Sequence, residues 1–173
     1  ATQTMAKAKQ RKITAAETNR KAKLAKEKAG AAGGGKKGAF MRSDFANEDI
    51  EARAVADDVH RWLRSEAVGE RVCDVVESVP IDSKAKDSNY ARRLVWVDRE
   101  TSLPIKIEFY DRRDRLIKVM SQGAIEQIDG IWTATKVIME TPRRGSRTLM
   151  QYSDVRYNVG FEDRVFEQDA LQR

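Results

Sequence analysis

The sequence predicts a mainly β protein: a curved antiparallel sheet laid down as a meander, preceded by a basic, helical or disordered N-terminal tail. Three observations predict it. Apolar and polar residues alternate through the body of the chain, turn residues separate the alternating runs, and no helical period intervenes between residues 71 and 158. In Leu103-Pro-Ile-Lys-Ile-Glu-Phe-Tyr110, Leu103, Ile105, Ile107 and Phe109 fall on one face; Pro104, Lys106, Glu108 and Tyr110 fall on the other. Antiparallel sheets with one dry and one wet face give this alternation, whereas parallel sheets buried on both faces give continuous apolar runs.

Residues 1–29 are rich in Ala and Lys, with Met5, Ile13 and Leu24 as the large apolar residues. Helix propensity is good, but no apolar stripe exists to dock such a helix. Residues 30–38 are a Gly-rich linker. The fragment Gly33-Gly-Gly-Lys-Lys-Gly38 lacks the spacing of a phosphate-binding loop, and no strand precedes it. The expected organisation is a tail and linker over 1–38 and one β domain over 39–173.

Within the domain, Ser43 or Asp44 is placed to cap a short helical turn. Strands are expected at Asp58–Ala67, Arg71–Val79, Tyr90–Asp98, Leu103–Tyr110, Leu116–Ile128, Ile131–Glu140 and Arg147–Tyr157. Pro80 to Asn89 reads as a polar loop. The remaining separators are Arg99-Glu-Thr-Ser102, Asp111-Arg-Arg-Asp114, Asp129-Gly130 and Thr141-Pro-Arg-Arg-Gly145. Asp-Gly between apolar runs is the strongest short hairpin signal, and successive hairpins make a meander.

Charge is divided unevenly. Residues 1–39 hold 11 Lys/Arg and 2 Asp/Glu, a net +9; residues 40–173 hold 22 and 25, a net −3. The overall +6 therefore belongs to the tail and is weak evidence for a nucleic-acid-binding domain. No aromatic residues interleave the tail's lysines, so sequence-specific nucleic acid is not an expected partner. The single Cys73 excludes an internal disulfide, in keeping with a reduced compartment or an exported protein that uses none. No run approaches the roughly 18 apolar residues of a membrane-spanning helix, and no signal peptide is visible.

Catalytic and metal-binding patterns are poor, so no enzyme, cofactor or metal is expected. His60 is the sole histidine and sits in a strand, Cys73 lies among valines, and no CxxC, HxxxH or HExxH occurs. The abundant Asp residues lie in turns, where they act locally. What remains is an apolar sheet face. Trp96, Phe109 and Trp132 are the candidates to line it, as ordinary core or as the wall of a pocket for an acyl chain or another apolar ligand.

Several segments carry a resemblance. Phe40-Met-Arg-Ser-Asp-Phe-Ala-Asn-Glu-Asp49 resembles an element of the outer-membrane lipoprotein-sorting protein family, a LolA-like family often found beside RND-type exporters. Leu94-Val-Trp-Val-Asp98, Leu103-Pro-Ile-Lys106, Glu108-Phe-Tyr-Asp111, Ile128-Asp-Gly-Ile-Trp132, Tyr152-Ser-Asp-Val-Arg-Tyr-Asn-Val-Gly160 and the closing Phe161 to Arg173 agree with it at matching spacing. Arg42 stands where that family has Gly, and Asn47 where it has an aromatic residue. The resemblance covers residues 38–173 and implies the C-terminal part of an incomplete half-barrel around an apolar cavity. It implies a non-catalytic carrier or transporter-accessory protein of the periplasm or outer membrane. The implied partners are a lipoprotein or lipid ligand and an RND-type exporter or outer-membrane acceptor. An open sheet edge would also permit self-association. The alternative is a structural interaction module whose basic tail binds an acidic partner, a membrane surface or nucleic acid.

Overall fold

The Asp129-Gly130 hairpin organises the longest pair of strands. Both residues have left-handed backbones, with φ of 51° and 81°. Two successive positive-φ residues are what a two-residue turn needs to match the twist of its strands, and glycine bears the larger angle without a steric cost. The computed structural model describes Gly35 and residues 37–160. Seven strands form a single antiparallel sheet in the order β1 to β7: Asp58–Val68, Arg71–Pro80, Arg92–Asp98, Pro104–Tyr110, Leu116–Ile128, Ile131–Thr141 and Ser146–Gln151. Each strand pairs with the next, and β7 does not return to β1, so the sheet is not closed into a barrel. Two short helices, α1 (Asn47–Ile50) and α2 (Asp82–Ala85), accompany it.

The expected strands are present, with three differences. The loop after β2 contains α2, and β3 begins at Arg92 because Tyr90 turns its ring into the core instead of joining the ladder. β7 stops at Gln151 rather than Tyr157. Beyond it Asp154 and Asn158 adopt left-handed backbones, which break a strand. The segment is instead tied beside β6 by side chains: the Tyr157 N–H donates to Asp129 Oδ2 at 3.1 Å, and its hydroxyl lies 2.8 Å from Thr133 Oγ1. Third, Asp44 caps no helix. The Ser43 hydroxyl donates to the Phe40 carbonyl, and Asp49, not Asp44 or Ser43, serves α1 by accepting the Ala46 N–H at 2.7 Å. The proposed tail lies outside the described residues, except that Gly35, Lys37 and Gly38 are docked. Gly35 and Lys37 accept from the side-chain amides of Asn47 and Asn89.

Directly paired residues of adjacent strands share a face, and successive residues alternate. Ile107 pairs with Met120 and Met120 with Met139, so these three share the face of Phe109. Trp96 pairs with Lys106, three residues from Phe109, and so faces the opposite way. The sheet therefore has two apolar clusters, one on each side. The first holds Phe45, Tyr90, Phe109, Met120 and Met139, with Phe40 against them. The second holds Cys73, Val75, Trp96 and Ile105, with Leu63, Val68, Leu94 and Ile125.

Candidate functional site

The first cluster is covered by a strap, residues 37–57, whose conformation follows from its own sequence. Ala39 bridges Ala46, and the Phe40 N–H donates to the Phe45 carbonyl at 2.8 Å, so the segment doubles back over Met41 to Asp44. Phe45 then enters the core, and Tyr90 meets Phe109 with ring centroids 4.5 Å apart and tilted by 47°. Between these aromatic residues the strap sends three carboxylates into the sheet.

Each carboxylate has its own receptor. Asp44 accepts from the hydroxyls of Ser146 at 2.5 Å and of Thr141 and Thr148 at 2.8 Å. These hydroxyls, Ser146 first, hold its carboxyl below the ordinary carboxylate range against the opposing effect of burial. Asp49 accepts from the Tyr90 hydroxyl at 2.7 Å and from Lys118 Nζ at 3.1 Å. Burial, reinforced by the Asp49 charge, drives the Tyr90 phenol far above its usual range, so it stays a donor. Glu48 accepts from Ser88 Oγ and the Asn89 N–H, both at 3.1 Å. Arg93 lies between Glu48 and Asp58, 3.5 and 3.4 Å away, and its guanidinium carbon stands 5.3 Å from the Tyr90 ring centre. Burial, with the nearby Arg53 charge, lowers the Arg93 pKa against the opposing pull of the two carboxylates. No buried side-chain polar atom among the described residues lacks a hydrogen-bond partner. This face is a latched core.

The Trp96 face is built differently. Among the described residues every member of its cluster comes from a strand, so the sheet buries this cluster largely by its own curvature. Trp96 is 3% exposed. Its indole N–H donates to Glu66, and Lys106 Nζ stands 4.2 Å from the ring centre. At the edge of the cluster, Val68, Gly69 and Arg71 from the first hairpin and Ile105, Lys106 and residues 121–125 line a recess of about 350 Å³. Arg71 is anchored to Asp98 at 2.6 Å, and Asp98 is itself held by the Thr101 hydroxyl at 2.6 Å. The first hairpin and β5 are three strands apart, yet they share the recess.

The three aromatic residues picked out by the sequence are therefore separated. Trp96 and Phe109 are each 3% exposed and occupy opposite faces, in different clusters. Trp132 is half-buried; counting along β6 from Met139 puts it on the Trp96 side, at the far end near the Asp129-Gly130 turn. Ile105, Ile125 and Val68, not the tryptophans, line the recess. Cys73 is fully buried, and burial pushes its thiol pKa up. His60 sits 2.8 Å from Ser78 Oγ and 3.0 Å from the Val55 carbonyl. Among the described residues no group of three or more His, Cys, Asp or Glu could hold a metal ion.

Sequence reasoning passed over Asp44, Glu48, Asp49 and Arg93 as working residues. The available signal was an acidic residue between aromatic residues in Phe40-Met-Arg-Ser-Asp-Phe45, and an Arg at an inward position of an alternating strand.

The described fold superposes on three solved structures. A DUF1329 family protein from Desulfovibrio piger superposes with a TM-score of 0.74 at 39% identity, over 82% of this chain and 58% of that one. A domain from Vibrio parahaemolyticus described as outer membrane lipoprotein-sorting gives 0.72 at 32%, over 80% and 58%. A LolA superfamily protein from Nitrosomonas europaea gives 0.60 at 30%, over 76% and 59%. The chain belongs to a LolA-like family. The family model that matches, over residues 24–173, is described as an uncharacterized protein, and no curated protein matches. The LolA-like chain spans less than two thirds of each solved relative's length. The match begins within the Lys/Ala-rich stretch.

Proposed function

We propose that this LolA-like chain is part of a non-catalytic periplasmic carrier that takes up lipoprotein acyl chains or another lipid on the Trp96 side of the sheet. One observation carries the reading: among the described residues the apolar cluster on that side is built from strand residues, and Val68, Ile105 and Ile125 of that cluster edge the recess. An acyl chain laid there would remove apolar surface from water at about 25 cal/mol per Å². Lys106 and Arg71 line the recess with charge, which suits a ligand with an apolar body and a polar head. Trp132, on the same side, would extend the wall. Phe109 would serve from beneath, by holding the latched face rigid.

Relatives described as lipoprotein-sorting and LolA superfamily proteins support the carrier class. They also favour the periplasm; no helix among the described residues is long and apolar enough to cross a membrane. Delivery then requires an acceptor, which we take to be an RND-type exporter or an outer-membrane receptor. Among the described residues the outer edges of β1 and β7 carry no further strand, which offers a route to self-association.

Native mass spectrometry of gently purified protein tests the reading directly. Co-purified lipid, displaced by added fatty acid or lipopeptide with a shift in tryptophan fluorescence, is the expected result. Protein that arrives empty and shows no affinity for either ligand, while unfolding cooperatively, would remove the carrier reading and leave a scaffold.

A further inference from the structure

One end of the sheet exposes a set of cations and the other does not. The strap (residues 37–57) and the connections 81–91, 111–115 and 142–145 meet at one end, and together hold ten Lys/Arg and nine Asp/Glu, a net +1. The connections at the opposite end (69–70, 99–103 and 129–130) hold one Arg and three Asp/Glu, a net −2. Most acidic residues at the first end are engaged: Asp44 by hydroxyls, Glu48 by Arg93, Asp49 by Lys118, Asp57 by Lys84 at 3.2 Å, Asp111 by Arg115 at 2.6 Å and Asp114 by Arg92 at 2.6 Å, while Asp82 and Asp87 are exposed. Arg115 draws the Asp111 pKa down to about 2. Lys37, Arg42, Arg112, Arg113 and Arg143 are exposed and form no ion pair with a described residue. Lys37, Arg112, Arg113 and Arg115 line one shallow groove of about 510 Å³. A second recess of about 290 Å³ joins it at Lys37 and Asn89 and adds Lys118 and Arg144.

An independent feature stands at the same place. Met41 is 83% exposed, at the tip of the strap, with a left-handed backbone at φ of 49°. Arg42 beside it is also left-handed, at φ of 60°. Asp44 fixes this tip by accepting from Thr141 and Ser146, the residues that flank the Pro142–Gly145 turn. Met41 therefore projects beside Arg42, Arg143 and Arg144. A lone apolar side chain held out amid cations suits the boundary between phosphate headgroups and acyl chains, where both are accommodated. A free phosphate or a nucleic acid would use the cations and leave the methionine without a role.

We propose that this end of the sheet docks on a bilayer surface of anionic phospholipid, with Lys37, Arg112, Arg113, Arg143 and Arg144 on headgroup phosphates and Met41 entering the acyl boundary. The proposal does not depend on the carrier reading, since it requires no apolar ligand site.

The test is co-sedimentation of the full chain with vesicles. Binding is expected to vesicles of equal parts phosphatidylglycerol and phosphatidylcholine, and not to phosphatidylcholine alone. At about fivefold per charge near an anionic surface, Arg112→Ser with Arg113→Ser should lower the partition coefficient roughly twenty- to thirtyfold, and Arg112→Lys with Arg113→Lys should keep it. Met41→Ser should weaken binding severalfold without moving the thermal midpoint, because Met41 is exposed. Wild-type binding by the double Ser variant would show that other cations suffice and would overturn the proposal. So would release by millimolar inorganic phosphate at fixed ionic strength. Competition by short duplex DNA together with an inert Met41→Ser would reveal a general polyanion surface, and would equally sink it.

Discussion

Asp44 and Thr148 hold each other through both backbone and side chain. The Asp44 N–H donates to Thr148 Oγ1 at 3.0 Å, and the same hydroxyl donates to Asp44 Oδ2 at 2.8 Å. One residue precedes the whole sheet and the other lies in its last strand, 104 positions later. The pair ties the strap to β7, so the covered face cannot open without breaking bonds to a buried carboxylate.

Asp44→Ala should therefore destabilise the protein by about 2–4 kcal/mol, since three hydroxyls lose an ionised acceptor at once. Thr148→Val, which leaves the other two in place, should cost about 1–2 kcal/mol. Urea unfolding followed by tryptophan fluorescence measures both. Equal effects from the two variants, or none, would mean that the latch does not hold the strap.

The latch has a defined acid limit. Hydrogen bonding depresses the Asp44 pKa in the folded state. A depressed carboxylate contributes stability that is fully present above its unfolded pKa and is lost as pH falls through the folded value. The strap should thus stay closed from neutral pH down to the ordinary carboxylate range, near 3.8, and loosen only below it. Hydrogen exchange at the Asp44 and Phe45 amides, read against pH after correction for intrinsic rates, checks this. Opening already at pH 5–6 would contradict it.

Arg93 balances two buried carboxylates, so its removal should cost more than its replacement together with a partner. Arg93→Met leaves Glu48 and Asp58 without their shared cation and is expected to lose about 3–5 kcal/mol. Adding Glu48→Gln should recover a measurable part of that loss, because Arg53 still pairs with Asp58. The double-mutant cycle gives the coupling directly. Strict additivity would show that the Glu48–Arg93 contact carries no energy.

The two tryptophans assigned to the same side of the sheet should separate on truncation. Trp96 is fully packed, so Trp96→Ala should cost about 3–5 kcal/mol. Trp132 is half-buried at the end of β6 and should cost clearly less. If the proposed lipid lies against it, Trp132→Ala should also weaken fatty-acid binding. The combination of a large stability loss and unchanged affinity would assign Trp132 to the core.

Strand positions were legible in the sequence because their causes are local. Period-two alternation sets each strand, and turn chemistry ends it: Asp129-Gly130 supplies two left-handed residues, and Asp111 Oδ1 accepts the N–H groups of Arg113 and Arg115. The exceptions are equally physical. Arg147 to Tyr157 alternates well enough to read as a strand, but the left-handed Asp154 and the pull of Thr133 and Asp129 on Tyr157 end the ladder early.

Which face a strand shows, and what a buried charge touches, belonged to the tertiary structure. A face depends on register between neighbouring strands, and register shifts at Trp62/Arg64, Trp96/Val97 and Phe109/Tyr110 have no signature within a single strand. Trp96 and Phe109, alike in composition and context, stand on opposite sides of the sheet because the β3–β4 register pairs Phe109 with Arg93 and Trp96 with Lys106, three residues along. The same holds for the strap: a carboxylate in a short polar-aromatic run reads as a cap, because its real partners, Thr141, Ser146 and Thr148, lie about a hundred residues away and become neighbours only when the meander is complete.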